Sequence, residues 1–558
     1  MRRLVLVLAL GALLAPASAA PARFAVGAER GVAVRTLAAR IERAGWHPVS
    51  TELAALRALV VEASGPRGLR RIPGVAYVED LRPRRRISFR PQDPFAPRQW
   101  YLARSRAFDF WSTLPALASV RVAVIDSGVD GRHPELRGRV TAAKSFVGGS
   151  PYFDRIGHGT FVAGLIAART DNDIGIAGIA FSSRLLVAKV VRPDGSISAE
   201  AEARAIKWAA DRGARVINMS LGGVRDPFDP SRDTYSPLEQ AALEYAYRRG
   251  AVLVAAAGNS DQAPRTPWNY ASYPAALPHV IGVGALARDG SVPAFSHRDP
   301  VFVDIAAPGE GIVSTVPRAL TALDPSCREQ GYSPCGPPDY RRGEGTSFAA
   351  PQVAAAAALL IATRPELRPE QVTALLEHAA VDVNGRTGCR RCPVRRDRLT
   401  GWGRLDIAAS LRALADPLPP RDNYEPNDDG VARARPLYGA RTRTVAATID
   451  FWNDRVDVYE IYLRQGQKFF AAVRGPGGAG ASLRLSRPGG DRLEAARSRR
   501  PRPGRTELSA RAGVAAALVY RASAAGWHAL QVTASTPGSG RYTLAFSKTA
   551  PRVPPPRG

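Results

Sequence analysis

The chain has 558 residues, too many for one hydrophobic core, so two or three folded units are expected. Its hydrophobic fraction of 45% is ordinary for globular protein. The formal net charge of +27 raises nucleic-acid binding, but 72 of the 77 basic residues are Arg and they are spread along the chain. The densest runs, 82–86 and 497–505, fall in proline-containing, linker-like stretches and form no localised patch, so nucleic acid is not an expected partner.

Residues 1–19 read as a signal peptide: Arg2 and Arg3, an apolar stretch over 4–14, then Ala17-Ser18-Ala19 as small residues for cleavage. The apolar run is too short to span a bilayer, and no later segment reads as long and apolar enough. A secreted, soluble, monomeric protein without a stable membrane anchor is expected, with the periplasm or cell surface as other destinations. Residues 20–90 read as a small α+β unit, with helical apolar spacing over 34–44, a strand at 58–62, a short helix at 68–72 and a strand at 75–79. The Arg- and Pro-rich stretch up to about residue 98 then reads as an exposed linker and a natural place for cleavage.

From 98 to 415 strands and helices alternate. Strands are predicted at 120–126, 185–191, 214–219, 251–256 and 280–285, and helices at 159–168, 199–211, 238–249 and 347–363. This order implies the α/β class, a parallel sheet with helices on both faces, whose functional groups sit at the carboxyl ends of strands. The four cysteines, Cys327, Cys335, Cys389 and Cys392, all fall in this region. Export permits disulfides, and three pairings are possible. Local pairs, Cys327 with Cys335 and Cys389 with Cys392, are preferred, with a zinc site as the alternative. Residues 416–422 form a proline-containing linker. From 423 to 548 short alternating runs (457–463, 481–485, 516–520, 527–533, 541–546), split by Gly and Pro, predict an antiparallel β-sandwich, and 549–558 a disordered tail.

Three segments carry the chemistry: VAVIDSGVD with Asp126, GHGTFVAGLIAA with His158 and GEGTSFAAPQVAAAAALL with Ser347. Each residue alone has a structural reading: a strand-end turn, a structural histidine, a helix N-cap. Together they supply an acid, a base and a nucleophile lying at the positive end of a helix, the parts of a hydroxyl-based acyl-transfer site.

These segments resemble those of the subtilisin-like serine proteases over roughly 98–415, with the chain order Asp, His, Ser of that family. Three further stretches fit: Val216-Ile217-Asn218-Met219-Ser220-Leu221-Gly222-Gly223, Ala255-Ala256-Ala257-Gly258-Asn259-Ser260 and Gly401-Trp402-Gly403-Arg404-Leu405-Asp406. The resemblance implies a serine endopeptidase acting on protein or peptide substrates. In it Ser347 attacks, His158 shuttles the proton, Asp126 orients His158, and Asn259 with the Ser347 N–H holds the oxyanion. Ser220, Leu221, Gly222 and Gly223 would form one wall of the primary pocket, Ala256 and Gly258 the opposite wall, and Ser272, before Tyr273-Pro274, its floor. No acidic residue is placed there, which points to a neutral or apolar substrate preference. No cofactor is required for the chemistry. A structural calcium ion is implied in the loop region of Glu135, Asn172, Ile174 and Ile176, although the loop reads one residue longer than the pattern and its acid is Glu.

Gly74-Val75-Ala76-Tyr77-Val78-Glu79 resembles the inhibitory propeptide of the family, implying a zymogen whose own propeptide is an intramolecular inhibitor. Tyr424-Glu425-Pro426-Asn427-Asp428-Asp429, Asp454 to Tyr459 and Gly540-Arg541-Tyr542-Thr543-Leu544 resemble the bacterial pre-peptidase C-terminal domain, a secretion, folding or adhesion module whose carboxylates could bind calcium. The chain departs from the family pattern at Phe348, which lacks an oxidisable thioether, at Phe161 and Gln352, and in an apparent insertion over 316–342. Rival readings are a catalytically inactive homologue serving as an extracellular binding protein, a basic nucleic-acid binder, and an esterase or ligase using the same trio.

Overall fold

The computed structural model describes residues 22–81, 88–318, 332–333, 339–419, 422–425, 427, 434–438, 442–452, 454–476, 480–486, 488, 506–509 and 515–549. Two compact units divide the chain, Met1–Ile87 and Ser88–Gly558.

In the first unit, β1 (Ala22–Ala28), β2 (Pro48–Ser50), β3 (Ala58–Ala63) and β4 (Val75–Asp80) form an antiparallel sheet in the order β2-β3-β1-β4. The helix Val34–Arg43 buries Leu37 and Ile41, four residues apart on one face, with Phe24, Val26, Leu59 and Val61 in the same core. Arg40 and Arg43 stand in its last turn, where cations suit the helix dipole. The sequence reading missed β1 and β2.

The second unit is built on seven parallel strands: β5 (Arg121–Asp126), β6 (Val140–Ser145), β7 (Arg184–Lys189), β8 (Val216–Met219), β9 (Val252–Ala256), β10 (Val280–Leu286) and β11 (Ile305–Pro308). Their order is β11-β10-β9-β8-β5-β7-β6. Alternate residues of one strand enter different cores. Val122 and Val124 pack with the helices His158–Ala167 and Thr346–Thr363, whereas Ala123 and Ile125 pack with Ala199–Asp211 and Pro237–Arg248. Burial on both faces explains why these strands read as continuous apolar runs. The strand order reverses at β5, which lies between β8 and β7. The crevice beyond the carboxyl ends opens there, with Asp126 as the last residue of β5.

One expectation is corrected. Thr346–Thr363 is long and apolar enough to cross a membrane. It is apolar all round because it is the central helix of the protein core, 89% buried.

Toward the C-terminus, a five-stranded sheet (Arg435–Pro436, Val456–Leu463, Gly526–Ala534, Ala481–Ser486, Thr506–Ser509) shares one core with a four-stranded sheet (Arg443–Asp450, Ser539–Lys548, Lys468–Arg474, Ala515–Arg521). All pairings but that of Arg435–Pro436 with Val456–Leu463 are antiparallel. Ala515–Arg521 alternates exposed and buried residues along its whole length, as a half-buried strand should. The sandwich meets the α/β part through aromatic and charged contacts. The Arg396 guanidinium lies 4.6 Å from the Trp452 ring centre, Trp402 packs edge-on to Trp452 at 4.9 Å, and His279 lies 3.5 Å from Glu425. Cys389 and Cys392 form a disulfide with Cα atoms 5.3 Å apart; Cys327 and Cys335 lie outside the described residues.

Candidate active site

Asp126 is almost fully buried, and both its oxygens face one imidazole: His158 Nδ1 lies 2.9 Å from Oδ1 and 3.0 Å from Oδ2. His158 is the first residue of its helix, after Gly157 in a left-handed conformation at φ 83°. Gly159 must be glycine, because a Cβ there would stand 2.1 Å from the Gly128 carbonyl oxygen. Burial opposes a charged imidazole, but the charge and hydrogen bond of Asp126 and the charge of Asp154 outweigh it and lift His158 above its ordinary value.

Asp154 had no place in the sequence reading. It is buried and accepts hydrogen bonds from Ser127 Oγ (2.8 Å), Thr160 Oγ1 (2.6 Å), and the backbone N–H of Thr160 (2.9 Å), Gly157 (2.8 Å) and Ile156 (3.2 Å). Ser127 Oγ accepts from Gly159 N at 2.9 Å, and Ser127 N donates to Asp126 Oδ1 at 2.7 Å. One carboxylate thus ties the turn after β5 to the first turn of the His158 helix. Its only sequence signal is an acid four residues before a Gly-flanked His.

Ser347 is the second residue of Thr346–Thr363, so its backbone N–H has no partner inside the helix. Its hydroxyl donates to the Ser220 carbonyl at 3.2 Å, and Ser220 Oγ donates to the Ser347 carbonyl at 2.8 Å. No hydrogen bond among the described residues joins Ser347 to His158. Catalytic hydrogen bonds are often long before substrate arrives. Phe348 packs 4.2 Å from the Phe161 ring centre and 5.4 Å from that of His158, and Gln352 Nε2 donates to the carbonyls of Pro308 (2.6 Å) and Phe348 (2.9 Å).

Asn259 follows β9 and faces the start of the Ser347 helix. Its Oδ1 accepts from Thr346 N and Thr346 Oγ1, both at 3.0 Å. With the oxygen so held, the amide NH2 is the end left to donate. Asn259 Nδ2, at 3.2 Å, and Ser347 N, at 3.7 Å, both lie near the position that a Cβ on Gly345, just before the helix, would take.

The two predicted walls follow adjacent strands, Ser220–Gly223 after β8 and Ala256–Gly258 at the end of β9. Ser272-Tyr273 joins them. Ser272 N donates to Ala257 O (2.8 Å), and Gly223 and Tyr273 exchange two backbone hydrogen bonds of 2.9 Å.

The predicted cation loop is different. Glu135 Oε1 accepts from Ile176 N (2.8 Å) and Tyr340 OH (3.1 Å), Oε2 from Asn172 Nδ2 (3.4 Å), and Asn172 Oδ1 from Ile174 N (3.1 Å). Burial pushes Glu135 up to about 7. Donors, two N–H groups and the Tyr340 hydroxyl, occupy both oxygens of Glu135, so as arranged this carboxyl is not open to a cation. A second acidic cluster lies in the sandwich, with Tyr424 N and Thr448 donating to Asp422 and the Tyr542 and Tyr459 hydroxyls to Asp457. Asp422, Glu425 and Asp457 offer carboxylate oxygens within 4.8 Å of one another. Asn427, wholly buried, lacks a hydrogen-bond partner for both side-chain polar atoms, and its carbonyl accepts from Val458 N beside Asp457.

The model of the subtilase family matches residues 118–403. Thermitase of Thermoactinomyces vulgaris is 34% identical over 300 residues, covering 53% of this chain and 94% of its own. Subtilisin DY of Bacillus licheniformis is 37% identical over 268 residues, covering 48% and 85%. Fervidolysin of Fervidobacterium pennivorans is 34% identical over 356 residues, covering 60% of this chain but only 46% of its own length. The chain belongs to the subtilase family.

Proposed function

We propose that this protein is an exported serine endopeptidase that hydrolyses peptide bonds through a Ser347 acyl-enzyme. The observation that carries this reading is the His158 Nδ1 contact with both Asp126 oxygens, which leaves Nε2 for the nucleophile, beside an Asn259 amide pinned by Thr346. A substrate strand lies along Ser220–Gly223. His158 Nε2 takes the Ser347 proton as Oγ bonds to the scissile carbonyl carbon. The carbonyl oxygen becomes an oxyanion and receives hydrogen bonds from Asn259 Nδ2 and Ser347 N–H. His158 returns the proton to the leaving nitrogen as the C–N bond breaks, and water then repeats the cycle to free the acid and restore Ser347. Asn259→Ala should lower kcat by about 10²–10³ with little change in KM. An unchanged kcat would remove Asn259 from the site.

The test is covalent labelling of Ser347 by an organophosphonate, with cleavage of a peptide library and Ser347→Ala as control. Labelling and serine-dependent cleavage support the reading. Neither would favour the rival, an inactive homologue that binds without cutting, which would fit the Ser347 hydroxyl resting on Ser220.

Three finer statements belong to this proposal. Residues 1–19 direct export, and residues 20–90 form a propeptide that inhibits the enzyme until it is cut near 80–98; Ser347→Ala should then accumulate as the uncut precursor. Residues 98–415 are the catalytic domain, 416–422 a linker and 423–548 an accessory domain. Asp422, Glu425, Asp457 and Asn427 would hold a hard cation such as calcium, which would supply structural stability to the sandwich and no part of the chemistry.

A further inference from the structure

Behind the junction of the two pocket walls lies a histidine that the triad chemistry does not use. His297 is fully buried. It ends a short strut along the oxyanion loop: Ser260 N donates to Phe295 O at 2.9 Å, Asn259 bridges Ser296, and His297 N donates to Gly258 O at 3.0 Å. Its ring reaches the pocket base, with Nδ1 3.2 Å from Ser272 Oγ. The packing there is tight. Gly258 has φ 107°, and a Cβ on it would stand 2.3 Å from Ser272 Oγ and 2.4 Å from His297 Nδ1. On the other wall, a Cβ on Gly222 would lie 3.6 Å from Ser272 Cβ. Both walls therefore close on Ser272.

Burial pushes His297 down to about 4, although the carbonyls of Asn259 and Ala257 favour its charged form. At neutral pH the ring is uncharged and holds one N–H and one lone pair. Nε2 has no hydrogen-bond partner. Orphaned buried N–H groups are rarer in proteins than under-used acceptors, so the orphan position suits the lone pair and the proton belongs on Nδ1. Nδ1–H then donates to Ser272 Oγ. The Ser272 hydroxyl has no other partner among the described hydrogen bonds, so its own proton is free to be donated.

We propose that His297 holds Ser272 so that the floor of the primary pocket is a neutral hydrogen-bond donor, selecting substrates whose side chain before the scissile bond is uncharged and ends in an acceptor, glutamine above leucine. This rests on the endopeptidase reading. Ser272 touches the substrate, and His297 is a positioning residue that acts through it. A site that offers a hydrogen bond loses that bond, and leaves its own group unpaired, when a purely apolar side chain enters.

The experiment measures kcat/KM of the protein, expressed as the full chain and left to mature, on peptides that differ only before the scissile bond, with Gln, Leu, Lys or Glu there. The wild type should prefer Gln to Leu by about tenfold, the worth of one buried hydrogen bond. Ser272→Ala should bring that ratio close to one. His297→Phe keeps a ring but removes the donor. It should also shrink the ratio, through KM for the Gln peptide, and His297→Asn, which restores a donor, should recover part of it. Should His297→Phe fail to fold, Ser272→Ala decides alone. Equal rates for Gln and Leu in the wild type, or a preference that survives Ser272→Ala, would overturn the proposal and leave the endopeptidase reading standing. Cleavage of none of the peptides, with no phosphonate labelling of Ser347, would overturn both.

Discussion

The α/β unit buries carboxyl groups in two places and treats them differently. Beside the triad, Asp154 sits within five hydrogen-bond donors, which work against the upward push of burial. Between the helices Ala199–Asp211 and Pro237–Arg248, Glu202 and Glu239 are as deeply buried, but each finds chiefly the other. Burial and mutual proximity push Glu202 well above the ordinary carboxyl range, and burial takes Glu239 to about 7. Depth alone therefore does not fix the charge of an acid. The donors around it do. Burial raises all three acids, but at Asp154 five donors oppose the rise, whereas the Glu202–Glu239 pair lacks such a set and keeps a proton between two helices.

The largest effect that probes this contrast is expected from Asp126→Asn. It keeps the shape but presents an amide to His158 Nδ1, and kcat should fall by about 10⁴. A fall under about tenfold would mean that the Asp126 charge does not orient the base. Asp154→Asn should act more gently, by up to about tenfold through loosened positioning. Its diagnostic is the pH profile. His158 must be neutral to accept the serine proton, and Asp154 favours its charged form, so losing that charge should move the acidic limb of kcat/KM to lower pH. A limb that stays put would reduce Asp154 to a loop fastener. The smallest effect is one of stability. A raised carboxyl pKa means the folded state keeps protons that the unfolded chain has released, so this pair should cost stability as pH rises from about 4.5 to about 7. In a Ser347→Ala background, Glu239→Gln should flatten that decline and add about 1–3 kcal/mol at about pH 8, read by denaturant unfolding at about pH 5 and about pH 8. A variant no more stable at the higher pH would show that both acids ionise there without penalty.

Five strands buried on both faces were legible because their apolar runs leave no other reading, whereas β11, IAAP, is as buried but too short to stand out and was missed. Residues 120–126 were predicted for β5, observed as Arg121–Asp126, and Ala199–Asp211 matched at both ends. The edge strand β6, VTAAKS, was not seen, because it is half-exposed and carries Lys144 and Ser145 among alanines. The same holds within the site. Asp126, His158 and Ser347 stand in Gly-rich turns at strand or helix ends, which a sequence displays. Asp154, Thr346 and His297 take their roles from contacts 27, 87 and 25 residues away, to Ser127, Asn259 and Ser272. No local pattern encodes such distances. The bond from Tyr340 to Glu135, which fills the predicted cation loop, spans 205 residues and was illegible for the same reason.

The hydrogen bond from the Ser347 hydroxyl to the Ser220 carbonyl has a consequence for the idle enzyme. A hydroxyl has one proton to give. While Ser220 holds it, the oxygen is disarmed, and His158 has nothing to abstract. Release takes a rotation about one side-chain bond and the exchange of one neutral hydrogen bond for another, on the order of 1 kcal/mol. The acceptor belongs to the same backbone segment on which a substrate strand would lie. On the proposed reading, Ser347 is thus parked on the segment that would receive substrate, and the arrival of a peptide there is the event best placed to set it free.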